Sequence, residues 1–222
     1  MTGLPVRQHV SGEAKPYLRG WLHGAALPMS AVAGTSLITL APTGMGRVAA
    51  WGYAACSWLL FSVSAAYHLG RWRPSVRRLL QRLDHASINV IIAGTYTPLI
   101  LLGGRGGSTV PLLAVVWTSA AVAVAFRVLW AAGPRWLFVT SYVLVGCLPA
   151  VLQPTLLDRV DSAVAVLTLA GAGLYGVGAL VYGLQRPDPF PDWFGFHELF
   201  HALTLLAYGA QYVAICLLIL RR

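Results

Sequence analysis

His197 and His201 stand four residues apart in the stretch Phe194-Gly195-Phe196-His197-Glu198-Leu199-Phe200-His201, at the head of a long apolar run. On a helix that spacing puts both imidazoles on one face, roughly 6 Å apart along the axis. Two imidazoles so placed can reach one metal ion. Titratable groups inside a membrane helix are costly, so the pair calls for a reason.

The run that carries the pair is one of several. The chain of 222 residues is 57% hydrophobic and 10% charged, where a soluble domain carries about 25% charged residues. That composition makes it an integral membrane protein. The 23 glycines and 8 tryptophans suit close helix packing and interfacial anchoring. A span needs about 20 apolar residues. Seven segments qualify: residues 21–41, 47–69, 84–103, 109–130, 136–153, 162–184 and 196–220. The runs are continuous rather than alternating, which predicts an all-α bundle of seven transmembrane helices in a single domain over residues 1–222. Residues 1–18 are polar, and no signal peptide is visible. The odd count of three cysteines, all within apolar runs, argues against a disulfide framework and for buried small hydrophobes.

Charge then sets orientation. The net charge of +9 lies in short loops between apolar runs, so it speaks for topology rather than for nucleic acid. With the N-terminus inside, the inner face holds Arg7, Lys15, Arg19, Arg71, Arg73, Arg77, Arg78, Arg82, Arg127, Arg135 and Arg186, and the outer face holds Arg47, Arg105, Arg159, Arg221 and Arg222. Eleven against five predicts a cytoplasmic N-terminus and an external C-terminus. The Gly70–Leu83 segment, basic at residues 71–82 and with Pro74 at a helix start, reads either as a short interfacial helix facing anionic lipid headgroups or as a charge cluster that only sets topology.

Orientation converts sequence into depth. Ser64 and His68 lie on one face near the cytoplasmic end of the second helix, and Asp84 opens the third. His197 and His201 open the seventh. All five fall at similar depth in the inner leaflet, although three separate helices supply them. Three neutral imidazoles, His68, His197 and His201, make a zinc ligand set with a fourth position open for water. Bound zinc lowers the pKa of that water to about 7. Asp84 is placed to orient or deprotonate it, and Ser64 to hydrogen-bond nearby. His23 has depth but no partner at helical spacing, which suits a supporting or interfacial place. His85 points about 100° away from Asp84. Both stay outside the ligand set. Arg127 is expected to snorkel to the interface and Pro98 to kink the third helix.

The ordered set Ser64-Ala65-Ala66-Tyr67-His68, Asp84-His85-Ala86-Ser87-Ile88, Ile92-Ala93-Gly94-Thr95-Tyr96-Thr97-Pro98 and His197-Glu198-Leu199-Phe200-His201 resembles the hemolysin III family. That family is the bacterial branch of the progestin and adiponectin Q receptor group and is distantly similar to alkaline ceramidases. The resemblance covers all seven apolar runs. It implies a seven-helix bundle in the cell membrane, with an intramembrane zinc ion held by His68, His197 and His201 near the cytoplasmic face. It further implies that Asp84 and Ser64 hold the water of a metal-dependent hydrolase, whose substrate or ligand is a lipid-like amide or ester. The chain departs from the family before the first-helix histidine, where Pro16 and Arg19 replace an acidic residue and an asparagine. That departure puts a supporting role for the first helix in question.

Three other readings compete. A receptor or sensor could use the zinc structurally. A cytolysin would fit the family name, but uniformly apolar spans offer no ring of charges for an aqueous pore. Finally, His197-Glu198-Leu199-Phe200-His201 matches the H-E-x-x-H zincin pattern, with Glu198 as general base. A third histidine on the second helix instead makes Glu198 an interfacial acid that pairs with an arginine of the basic loop.

Overall fold

Continuous apolar runs satisfy their backbone groups within themselves only as helices, and helices are what the chain forms. The structure, a computed structural model, describes residues 16–104, 106–130 and 133–221. Arg7, Glu13, Lys15, Arg105 and Arg222 lie outside the described residues. The long helices are α1 (Trp21–Leu40), α2 (Met45–Leu69), α3 (Pro74–Pro98), α4 (Thr109–Leu129), α5 (Arg135–Leu152), α6 (Ser162–Leu184) and α7 (Phe196–Leu220). Among the described residues there is no β-strand, only an isolated bridge between Phe190 and Phe194. Six helices, α2 to α7, are long and apolar enough to cross a membrane. This is a multi-pass membrane protein.

Successive helices pack as neighbours, α1 on α2, α2 on α3 and α6 on α7, while α1 and α3 also reach α7. Helix α3 is the most enclosed: 72% of its most apolar stretch is buried, against 22% for α5. Close approach needs small residues. A Cβ on Gly94 of α3 would stand 2.6 Å from the Cβ of Cys56 on α2. On α6, Gly171 makes room for Gln211, and Gly178 lies against Phe200 and Leu203, so these glycines serve packing within the chain. The α1–α2 and α1–α7 contacts are pinned by Trp58 Nε1 donating to Ser30 O at 2.9 Å and Tyr212 OH donating to Ala33 O at 3.0 Å.

Three expectations need correction. The basic segment is no separate interfacial helix. Arg73 is extended, Pro74 begins α3, and the helix runs unbroken through Asp84 to Pro98. Once nucleated, a helix propagates through any stretch without a breaker, apolar or not. Exposed basic turns therefore precede the buried ones, with the change at Asp84. At Pro98, where a kink is expected, the hydrogen-bond ladder widens into a π-helical turn over Leu99–Gly103. Arg127 does not snorkel. It is buried, its Nη2 donates to His85 Nδ1 at 2.9 Å, and its guanidinium lies 4.3 Å over the Phe138 ring. The three cysteines are free, but only Cys56 is buried; Cys147 is exposed on α5 and Cys216 is half-buried.

Candidate metal centre

The last turn of α2 and the first two turns of α7 meet beside Asp84, ten residues into α3. Gly20, which precedes α1, lies against the end of α2. It adopts the left-handed φ of 85°, and any side chain there would run into His68 Cβ. Helix α7 begins cleanly because its first amides are met. Phe196 N donates to Asp188 Oδ1 at 2.7 Å and Gly195 N donates to Glu198 Oε2 at 3.0 Å.

This start fixes His197 and His201, and the end of α2 brings His68 to them. One ligand nitrogen from each of the three lies within 4.8 Å of the other two, and all three residues are buried. His68 Nε2 and His197 Nε2 are 3.3 Å apart. Two nitrogens on a tetrahedral zinc at 2.0–2.1 Å stand about 3.3 Å from each other, so the His68–His197 pair has the spacing of such an ion and the three imidazoles have its donor chemistry. Asp84 Oδ2 lies 3.5 Å from His68 Nε2. All four of these site residues predicted from depth therefore converge.

Ser64, the fifth, reaches the cluster through a residue left outside the ligand set. Its Oγ is 2.8 Å from Nδ1 of His23. The His23 ring stacks on His201 with centroids 3.8 Å apart and planes 7° from parallel, and it meets the Phe61 edge at 5.3 Å. His23 Nε2 is buried without a hydrogen-bond partner. His23 is thus part of the centre. Depth alone pointed at it, but the rotation of α1 that turns it inward leaves no mark in its local spacing.

His85 anchors a second polar group beside Asp84. Arginine only donates, so His85 Nδ1 accepts from Arg127 and Nε2 carries the proton. That Nε2–H donates to Tyr182 OH at 2.8 Å. Tyr142 OH donates to the His85 carbonyl at 3.3 Å. Both nitrogens of His85 are therefore engaged away from the three-histidine cluster.

Glu198 pairs with Arg19 and not with an arginine of the basic loop. The turn before α1 carries Arg19 across the mouth of α7, held there by Tyr17 N donating to Asp192 O at 2.9 Å and by Tyr17 packing on Trp193 at 4.6 Å. The turn before α1 thus braces the head of α7 through Arg19, one of the two residues that depart from the family pattern. Glu198 is 1% exposed, with one oxygen on Arg19 and the other on its own helix cap. A zincin base needs a carboxylate oxygen free to face water, and neither is free. Glu198→Gln is expected to keep its metal and to lower Tm by about 6–20 °C, because it leaves the largely buried Arg19 charge without its anion at a cost of roughly 3–5 kcal/mol. Metal analysis and thermal denaturation check this; lost metal at unchanged Tm would put Glu198 at the metal instead.

A cavity of about 180 Å³ extends from the cluster between α3, α5, α6 and α7. His23, Asp84, His197 and His201 line one end, and Leu60, Ile91 and other apolar side chains line much of the rest.

A family described as Haemolysin-III related matches residues 12–212 of the chain. Among curated relatives, Hemolysin-3 of Bacillus cereus is 32% identical over 153 residues, covering 69% of this chain and 67% of that protein. Hemolysin-3 homolog of Bacillus subtilis (strain 168) is 27% identical over 159 residues, 72% of each.

Proposed function

The chain belongs to the Haemolysin-III related family, and from that premise we propose that it is a zinc-dependent hydrolase of a lipid amide or ester in the cell membrane. In this reading α1 crosses with the other six helices, the N-terminus is cytoplasmic, and the site lies near the cytoplasmic face. Arg71, Arg73, Arg77, Arg78 and Arg82, on and before the exposed first turns of α3, face anionic headgroups.

One observation carries the proposal: three buried imidazoles and a carboxylate converge, and His197, His201 and Asp84 among them line one end of a largely apolar cavity. His68, His197 and His201 hold the metal. A zinc ion there supplies Lewis acidity and brings the pKa of a water toward about 7. The chain's residues do the rest. The cavity takes the acyl chain and excludes bulk water, placing the carbonyl at the histidine end. Asp84 Oδ2 accepts a proton as water oxygen attacks the carbonyl carbon. As the C–N or C–O bond breaks, that proton passes to the departing amine or alcohol, leaving a carboxylic acid. Ser64 holds His23 by their hydrogen bond, and the pair hydrogen-bonds the reacting water or carbonyl.

The test uses purified protein and a panel of long-chain amides and esters. Wild type is expected to release fatty acid from at least one, to stop when the metal is chelated, and to resume on adding zinc. A panel left intact by zinc-loaded protein would sink the hydrolase and leave a receptor with a structural metal.

A further inference from the structure

The cavity has a second polar region, remote from the histidines. Helix α7 presents His197, His201, Thr204 and Gln211 on one face, and Gln211 is ten residues beyond His201, about 15 Å along the axis. Helix α6 runs beside it and presents Thr168, Tyr175 and Tyr182 at intervals of two turns. Tyr182 lies at the histidine end, bonded to His85. Thr168 lies at the other end, where its carbonyl accepts from Gln211 Nε2 at 3.0 Å.

Most polar side chains lining this cavity are satisfied. Thr95 donates to Ile91 O at 2.8 Å, Tyr96 to Gly146 O at 2.6 Å and Thr204 to Phe200 O at 2.9 Å. Three on the remote part are not: Thr168 Oγ1, Tyr175 OH and Gln211 Oε1 are buried without partners. Thr168 and Gln211 are 4% and 3% exposed. Deep in a membrane, buried polar groups without partners are costly, so a group able to bond them gains by entering there. The set offers two hydroxyls and an amide oxygen but no charge, so it matches a small neutral hydrogen-bonding group.

We propose that Thr168, Tyr175 and Gln211 form a second polar subsite that takes a hydroxyl carried midway along an otherwise apolar ligand chain. This rests on the reading of the cavity as a lipid-chain site, though not on hydrolysis. Oleyl alcohol and ricinoleyl alcohol test it, because they differ by one mid-chain hydroxyl and neither holds a hydrolysable bond. Binding of radiolabelled alcohol to the purified full chain is compared in wild type, Gln211→Leu and Thr168→Val. Wild type is expected to bind ricinoleyl alcohol roughly threefold to tenfold more tightly, the worth of one or two hydrogen bonds. Both variants are expected to lose that preference while holding oleyl alcohol as wild type does, which also shows them folded. Equal binding of the two alcohols by wild type, or a preference that survives both substitutions, overturns the subsite and leaves the cavity's lipid-chain reading intact. If wild type binds neither alcohol, both fail.

Discussion

Replacing His197 or His201 by alanine is expected to strip the metal from a protein that otherwise carries about one zinc per chain. Both imidazoles, with His68, make up the donor set. If the set binds with roughly 10 kcal/mol, each imidazole carries about 3 kcal/mol, and losing one lowers affinity more than a hundredfold. Zinc would then be lost during purification, as metal analysis would record. The helix itself has little reason to suffer, since alanine is the best helix former and the cap of α7 rests on Asp188 and Glu198. Ser64→Ala and His23→Ala are expected to keep their zinc, because neither contributes to the three-nitrogen group. Undiminished zinc in His197→Ala and His201→Ala would remove the metal centre from the proposal.

Depth explains what was legible in the sequence. Apolar runs mark where a chain enters and leaves hydrocarbon, and charge bias assigns the ends. Together they order residues along a single axis, which suffices to bring His68, Asp84, His197 and His201 to one level. The bounds of α4 to α7 follow from the same signal, because their polar flanks begin where the helices stop. At α3 it misleads. Residues from Pro74 to Leu83 are helical but basic and exposed, so the apolar run begins ten residues after the helix does.

Rotation and lateral order are the other two coordinates, and a single sequence does not carry them. Whether His23 turns toward Ser64 depends on how α1 packs on α2, through contacts such as Trp58 with Ser30. The partner of Glu198 depends on which loop crosses the mouth of α7. The turn at Arg19 does so because residues 17 and 18 bond the backbone at 192 and 193. Arg127 departs from the expected snorkelling for a related reason. Its depth near a helix end suits snorkelling, but its face points at His85 and Phe138.

Asp84→Asn separates holding the metal from doing chemistry. Asparagine keeps the shape and one carbonyl oxygen at the same place, so the imidazoles are undisturbed and zinc content is expected to stay near one per chain. What is lost is the group that takes a proton as water attacks. General base catalysis is worth roughly 10²–10⁴ in rate, and hydrolysis of a lipid amide is expected to fall by that range. Proton transfer belongs to the transition state, so the loss should appear in kcat, with KM little changed. A rise in KM at constant kcat would make Asp84 a substrate-binding residue. Loss of zinc in Asp84→Asn would make its carboxylate, 3.5 Å from His68 Nε2, a fourth ligand that closes the position a hydrolytic water needs. A centre closed in that way is structural, and the receptor reading would then follow from the chemistry of the site itself.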